Sequence, residues 1–159
     1  MENNGIENKE LGSSVYFNVR KNASFSTPNA VIPFEVQILN VGGAFSLTEH
    51  IFRAPRSGIY EFNAGGIKDR SQSSLRIALR LNRKPVTYMW ADYVPGHGLH
   101  TRFSLHYIME LKKGDRIDLF NVGEGSMIFD DGRKITHFTG KLLFMNAKYT
   151  AWEFPKSSN

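Results

Sequence analysis

HFTGKLLF, running from His137 to Phe144, has the apolar spacing of a strand yet carries Gly140 at its centre. Glycine costs a strand backbone entropy and gives it no side chain to pack, so its place in the last strongly apolar segment needs a reason. Outward from this segment a period of two recurs. SLRIALRL sets Leu75, Ile77, Leu79 and Leu81 on one face and Arg76, Ala78 and Arg80 on the other. RFSLHYIMEL sets Phe103, Leu105, Tyr107, Met109 and Leu111 against Arg102, Ser104, His106 and Glu110, with Ile108 the apolar exception on the second face. Alternation of this length defines strands with one buried face.

Turn signals punctuate the rest: Gly42-Gly43, Pro55 to Gly58, Gly65-Gly66, Asn82 to Pro85, Pro95 to Gly98, Lys113-Gly114-Asp115, Gly123 to Gly125 and Asp131-Gly132. Between them strands are expected at 14–20, 33–40, 45–53, 58–67, 74–81, 86–92, 101–111, 115–122 and 135–144. Many short strands with no intervening helical periodicity give an all-β sandwich or closed barrel. The chain divides into a polar tail at 1–13, a globular domain at 14–146 and an extension at 147–159 that holds Tyr149, Trp152 and Phe154.

Bulk properties bound the function. One domain of 159 residues buries roughly 70% of its unfolded surface and needs no staple. With no cysteine, stability is independent of redox state and thiolate metal sites are excluded. A formal charge of +5 favours anionic partners, but no run of Lys/Arg concentrates it. No apolar run is long enough to cross a membrane as a helix, and the first residues are not a signal peptide.

The order of landmarks resembles the globular head domain of the complement C1q family. NVGGAFSLTEHIFRAPRSGIYEFNAGGI is similar to that family's central signature at Phe45, Phe52, Pro55, Gly58, Tyr60 and Phe62. LRLNRKPV resembles its Asn-Gly hairpin, with Asn82 kept and Arg83 in place of the glycine. SLHYIMELKKGDRIDLFNVGEG followed by HFTGKLLF resembles its leucine-rich strand, Gly-Asp hairpin and terminal aromatic-x-Gly-x-Leu-Leu-aromatic strand, and VYFNVRKN its first strand. The resemblance implies a ten-stranded antiparallel jelly-roll sandwich, shared with the tumour necrosis factor superfamily, that assembles as a homotrimer and binds ligands without being an enzyme. It implies that the sheet holding the first, fourth, seventh and last strands faces the threefold axis, with Tyr16, Tyr60, Tyr107 and Phe138 as seam candidates, the alternative for each being the core within one chain. The high aromatic content, 12 Phe, 6 Tyr and 2 Trp, agrees with aromatic-rich obligate interfaces.

Candidate sites are few. No nucleophile elbow, HExxH, P-loop or dinucleotide turn is present. His97 and His100, with Asp92, offer a weak metal pair; the alternative is a solvated loop. Asp130 and Asp131 are hard oxygen donors suited to calcium, or simply build an Asp-Gly turn. The resemblance adds calcium held by acidic loops near the trimer apex, although Phe45-Ser46 stands where that pattern has tyrosine-aspartate, so one potential ligand is missing. Arg76, Arg80, Arg83 and Lys84 project from one strand and its turn, a set suited to phosphate, sulfate or carboxylate or to a plain solvated face. Nucleic acid is not expected, because no aromatic platforms interleave with these charges in the sequence. Lys113-Gly114-Asp115 reads as a hairpin turn, and Asn22 opens the only glycosylation sequon, usable in a secreted chain.

The expectation is therefore a secreted homotrimeric recognition module, similar to invertebrate-type C1q-domain proteins without collagen stalks. Such a module binds pathogen-surface anionic glycans or lipopolysaccharide in a lectin-like, innate-immune role. The alternative is a secreted signalling ligand of cytokine or synaptic-organiser type that binds a protein receptor at inter-protomer clefts. Neither involves membrane insertion.

Overall fold

The computed structural model describes residues 14–70, 73–93, 95, 100–123 and 127–145. The strands are β1 (Tyr16–Arg20), β2 (Ala30–Val31), β3 (Val36–Val41), β4 (Phe45–Ser46), β5 (Ile51–Arg53) and β6 (Gly58–Lys68), followed by β7 (Leu75–Leu81), β8 (Lys84–Ala91), β9 (Thr101–Leu111), β10 (Arg116–Asn121), β11 (Ile128–Phe129) and β12 (His137–Met145). Among the described residues there is no helix. The twelve segments exceed the nine expected from the sequence because β2, β4 and β11 are two-residue pairings.

Two antiparallel sheets face each other. In sheet I the order is β3-β1-β12-β6-β9, with β11 paired to the end of β6. In sheet II it is β8-β7-β10-β5-β4, with β2 paired to β10. The chain crosses between sheets at nearly every step, which is what makes the sandwich a jelly roll. The first, fourth, seventh and last strands expected from the sequence do share sheet I, as β1, β6, β9 and β12.

Two expectations change. The stretch 45–53 is not one strand: Ser46 Oγ accepts the Glu49 N–H at 3.2 Å, and β4 folds back on β5. Lys113-Gly114-Asp115 is not a hairpin, because β9 lies in sheet I and β10 in sheet II. It is an inter-sheet turn, with Gly114 at a φ of 92° and the Asp115 carboxylate accepting the Lys112 N–H at 2.8 Å.

The core is an aromatic stack. Phe17 lies 4.9 Å from Phe45, 5.2 Å from Phe52 and 5.0 Å from Phe138 between ring centroids. Phe62 and Tyr60 extend the stack across β6, within the 4.5–7 Å range of favourable ring pairs. Tyr60 is fully buried and its hydroxyl donates to the Arg56 carbonyl at 2.7 Å. The aromatic richness of the sequence therefore goes mainly into the interior of one protomer.

Candidate functional site

The two outward faces of the sandwich carry different chemistry, and the expected site residues divide between them. On sheet I, register aligns Val41, Tyr16, Lys141, Glu61 and Ile108 in one row, and Leu39, Asn18, Thr139, Asn63 and His106 in the next. Glu61 is the polar centre. Its Oε1 lies 2.7 Å from His106 Nε2 and its Oε2 2.7 Å from Lys141 Nζ. Lys141 first and His106 second hold its carboxyl below the usual carboxylate range. Around this centre Tyr16, Leu39, Ile108 and Phe144 stand exposed.

Of the four seam candidates, only Tyr16 lies on that outer face, 41% exposed. Tyr60 and Phe138 are fully buried and point into the sandwich, since their positions along β6 and β12 alternate with the outward Glu61 and Lys141. Tyr107 packs against the core and is half-buried because β9 is the edge strand of sheet I. Ile108, the residue that broke the alternation of its strand, is the apolar group that does face outward there.

In the acidic loop the two carboxylates have different surroundings. Asp130 is 3% exposed, and its carboxylate accepts the N–H groups of Gly132 (3.2 Å), Lys134 (3.1 Å) and Thr136 (3.1 Å). Asp131 points to solvent and is paired with Arg133, which holds its carboxyl below the usual range. Among the described residues no three His, Asp or Glu side chains converge as metal ligands. The Nδ1 of His100 lies 3.2 Å from the Lys68 carbonyl and its ring lies against Phe129, while His97 falls outside the described residues. No hydrogen bond or ion pair joins Asp92 to His100; the Asp92 backbone carbonyl accepts the Thr101 hydroxyl at 3.3 Å.

On sheet II the four basic candidates separate. Arg80 forms a two-point ion pair with Asp118, Nε to Oδ1 at 2.6 Å and Nη2 to Oδ2 at 3.0 Å, and lies 3.7 Å over the Phe120 ring. Asp118 is 2% exposed, so Arg80 neutralises a buried charge and is not free to bind a ligand. Arg76 lies 5.1 Å over the Trp90 ring, and Arg83 and Lys84 stand exposed at the β7–β8 hairpin. The sequence reading missed Trp90 and Tyr88. Pairing outward from the Asn82-Arg83 turn sets Trp90 beside Arg76 and Tyr88 beside Ala78, so aromatics do interleave with these charges. Asn22 is exposed on the β1–β2 connection, and its N–H donates to Glu35 Oε2 at 2.8 Å.

Two facing antiparallel sheets with chain crossings between them define a jelly-roll sandwich. The family model for the C1q domain matches residues 16–143, and the chain belongs to the C1q-domain family, a non-enzymatic ligand-binding family of trimers, typically extracellular. Among solved structures, the globular domain of zebrafish complement 1qA is similar at 18% identity and a TM-score of 0.65, covering 83% of this chain and 99% of that one. Eiger TNF from S. frugiperda is similar at 11% identity and a TM-score of 0.66, covering 89% and 98%. Murine APRIL is similar at 11% identity and a TM-score of 0.66, covering 82% and 100%. No helix among the described residues is long and apolar enough to cross a membrane.

Proposed function

We propose that the chain is the recognition module of a secreted homotrimer that binds repetitive anionic surfaces, pathogen glycans or lipopolysaccharide, in an innate-immune role. One observation carries this reading: the outer face of sheet I exposes Tyr16, Leu39, Ile108 and Phe144 around the Glu61 centre, with no other element laid across it among the described residues. Exposed apolar side chains set around an internally paired polar centre suit a subunit interface, and burying them between copies removes them from water. Three identical outer surfaces on one rigid body then convert weak single-site binding into avidity. Secretion makes Asn22, exposed on the β1–β2 connection, a glycan acceptor.

Sedimentation equilibrium tests the assembly: the expected mass is three times that of the 18.1 kDa chain, and Ile108→Glu is expected to yield monomers. Binding to immobilised glycan or lipopolysaccharide is expected to fall at least tenfold in that monomer. A wild-type chain that sediments as a monomer refutes the reading. The fold likeness to Eiger TNF supports a second reading, a signalling ligand engaging a protein receptor at inter-protomer clefts. A nanomolar protein receptor with no glycan binding would select it.

A further inference from the structure

Trp90 is 58% exposed and Tyr88 47% exposed on the outward face of sheet II, the face opposite the proposed trimer contact. Register builds three outward rows there: Trp90 with Arg76; Tyr88 with Ala78 and Phe120; Pro85 with Arg80 and Asp118. Ala78 faces outward yet is fully covered, so the surrounding side chains close over it as a continuous floor. Within that floor the two arginines differ. Arg80 is consumed by Asp118, whereas Arg76 has no acidic partner among the described residues and its guanidinium is steadied by the indole of Trp90. Arg83 and Lys84 continue the positive charge at the hairpin end, also without acidic partners among the described residues. From Lys84 to Trp90 the strip along β8 runs about 20 Å, the span of several sugar rings rather than one.

We propose that this strip is the ligand site and that its ligand is an acidic oligosaccharide. The assignment rests on the recognition reading above and names the surface and ligand class that reading leaves open. An aromatic face packs against the C–H face of a pyranose while the polar sugar edges stay in water. A guanidinium held beside that face receives a carboxylate or sulfate through its fork of N–H donors, which a mobile lysine does less well. A single-stranded nucleic acid would use the same rings, but its backbone requires a train of free cations, and the Asp118 pair removes the central one.

The test measures binding of the trimer to a heparin tetrasaccharide, to its desulfated counterpart and to an oligothymidylate of equal charge. Trp90→Ala and Arg76→Ala are each expected to weaken tetrasaccharide binding about tenfold or more, Arg76→Lys to restore it only in part, and Tyr88→Ala to weaken it less. Desulfation is expected to cost about tenfold, and the sedimenting mass is expected to stay unchanged in every variant. Tetrasaccharide binding that survives Trp90→Ala and Arg76→Ala overturns this site while leaving the recognition reading intact. Tighter binding of the oligothymidylate overturns the ligand class. A trimer that binds no saccharide on any array overturns the recognition reading itself.

Discussion

The ring of Phe17 lies directly against the backbone of Gly140. A β-carbon at position 140 would overlap Cε1 of Phe17 and stand 2.9 Å from both its Cζ and Cδ1 of Phe62. β1 and β12 pair Phe17 with Gly140, so the ring fills the space that a side chain on the central strand would take. Gly140→Ala is expected to destabilise the fold by about 2 kcal/mol and Gly140→Val by more, the usual cost of overpacking a close-packed core. Phe17→Leu should recover part of the loss in the double variant, because it retracts the clashing atoms. Equal denaturation midpoints for wild type and Gly140→Val would defeat the close-approach account.

The Arg80–Asp118 pair gives a second test, because it separates a structural arginine from its solvent-facing neighbours. Removing Arg80 strands a carboxylate that is 2% exposed, which is expected to cost about 3 kcal/mol. Arg80→Met with Asp118→Leu should be less harmful than Arg80→Ala alone, since the double change leaves no unpaired buried charge. Lys84→Ala should stay within about 0.5 kcal/mol of wild type, as exposed substitutions do. Chemical denaturation of the three variants against wild type decides it, and an innocuous Arg80→Ala would show the pair to be dispensable.

How much of this was legible in the sequence follows from which interactions are local. Alternation in SLRIALRL and RFSLHYIMEL announced β7 and β9 and their buried faces, because side-chain direction along a strand depends only on parity. The grouping of β1, β6, β9 and β12 in one sheet came from family resemblance and not from the pattern itself. Parity could not say which face of a strand is core and which is partner surface, so Tyr60 and Phe138 read equally as seam or core, and they are core. Arg80 looked like its neighbour Arg76 because the carboxylate that occupies it comes from β10, 38 residues away. Tyr88 and Trp90 were overlooked because the Arg row and the aromatic row lie on different strands and meet only through the hairpin register.

That hairpin yields a third prediction. Asn82 and Arg83 both take left-handed φ values, 51° and 70°, the conformation of a two-residue type I′ turn. Asn tolerates it; Arg at the second position is strained where glycine is at ease. Arg83→Gly is expected to raise stability by about 1 kcal/mol, despite the entropy that glycine adds to the unfolded chain. A lowered Tm in this variant would mean the Arg83 side chain makes a contact worth more than the strain it imposes.

Asp130 supplies a fourth. Its carboxylate gathers three backbone N–H groups of the loop leading into β12, so Asp130→Ala leaves buried donors unsatisfied at a cost of about 2 kcal/mol. Asp131→Ala removes only an exposed pair with Arg133 and should be nearly silent. Since Asp130 is spent on backbone donors and Asp131 is paired with Arg133, adding calcium or a chelator is expected to leave Tm unchanged. A calcium-dependent rise in Tm that Asp131→Ala abolishes would restore the metal reading of this loop.

Acid sensitivity follows from two histidines that the fold holds neutral. Burial pushes the His137 ring below its ordinary value of about 6.5, and Arg20 nearby acts in the same direction. Burial likewise lowers His50, whose Nδ1 accepts the Phe34 N–H at 3.3 Å, a bond only the unprotonated nitrogen can accept. For a histidine with a depressed folded-state pKa, the unfolded chain binds more protons below about pH 6.5, so stability is full above that pH and declines as pH falls. Glu35 and Lys21 face His50 with opposing charges, Lys21 Nζ lying 2.9 Å from Glu35 Oε1, and so leave burial as the dominant effect. Between pH 7.5 and 5.5 most carboxylates stay ionised, and the histidines control the slope. Tm is expected to fall across this window, and His50→Phe with His137→Phe to flatten the decline. An unchanged slope in the double variant would place the sensitivity elsewhere.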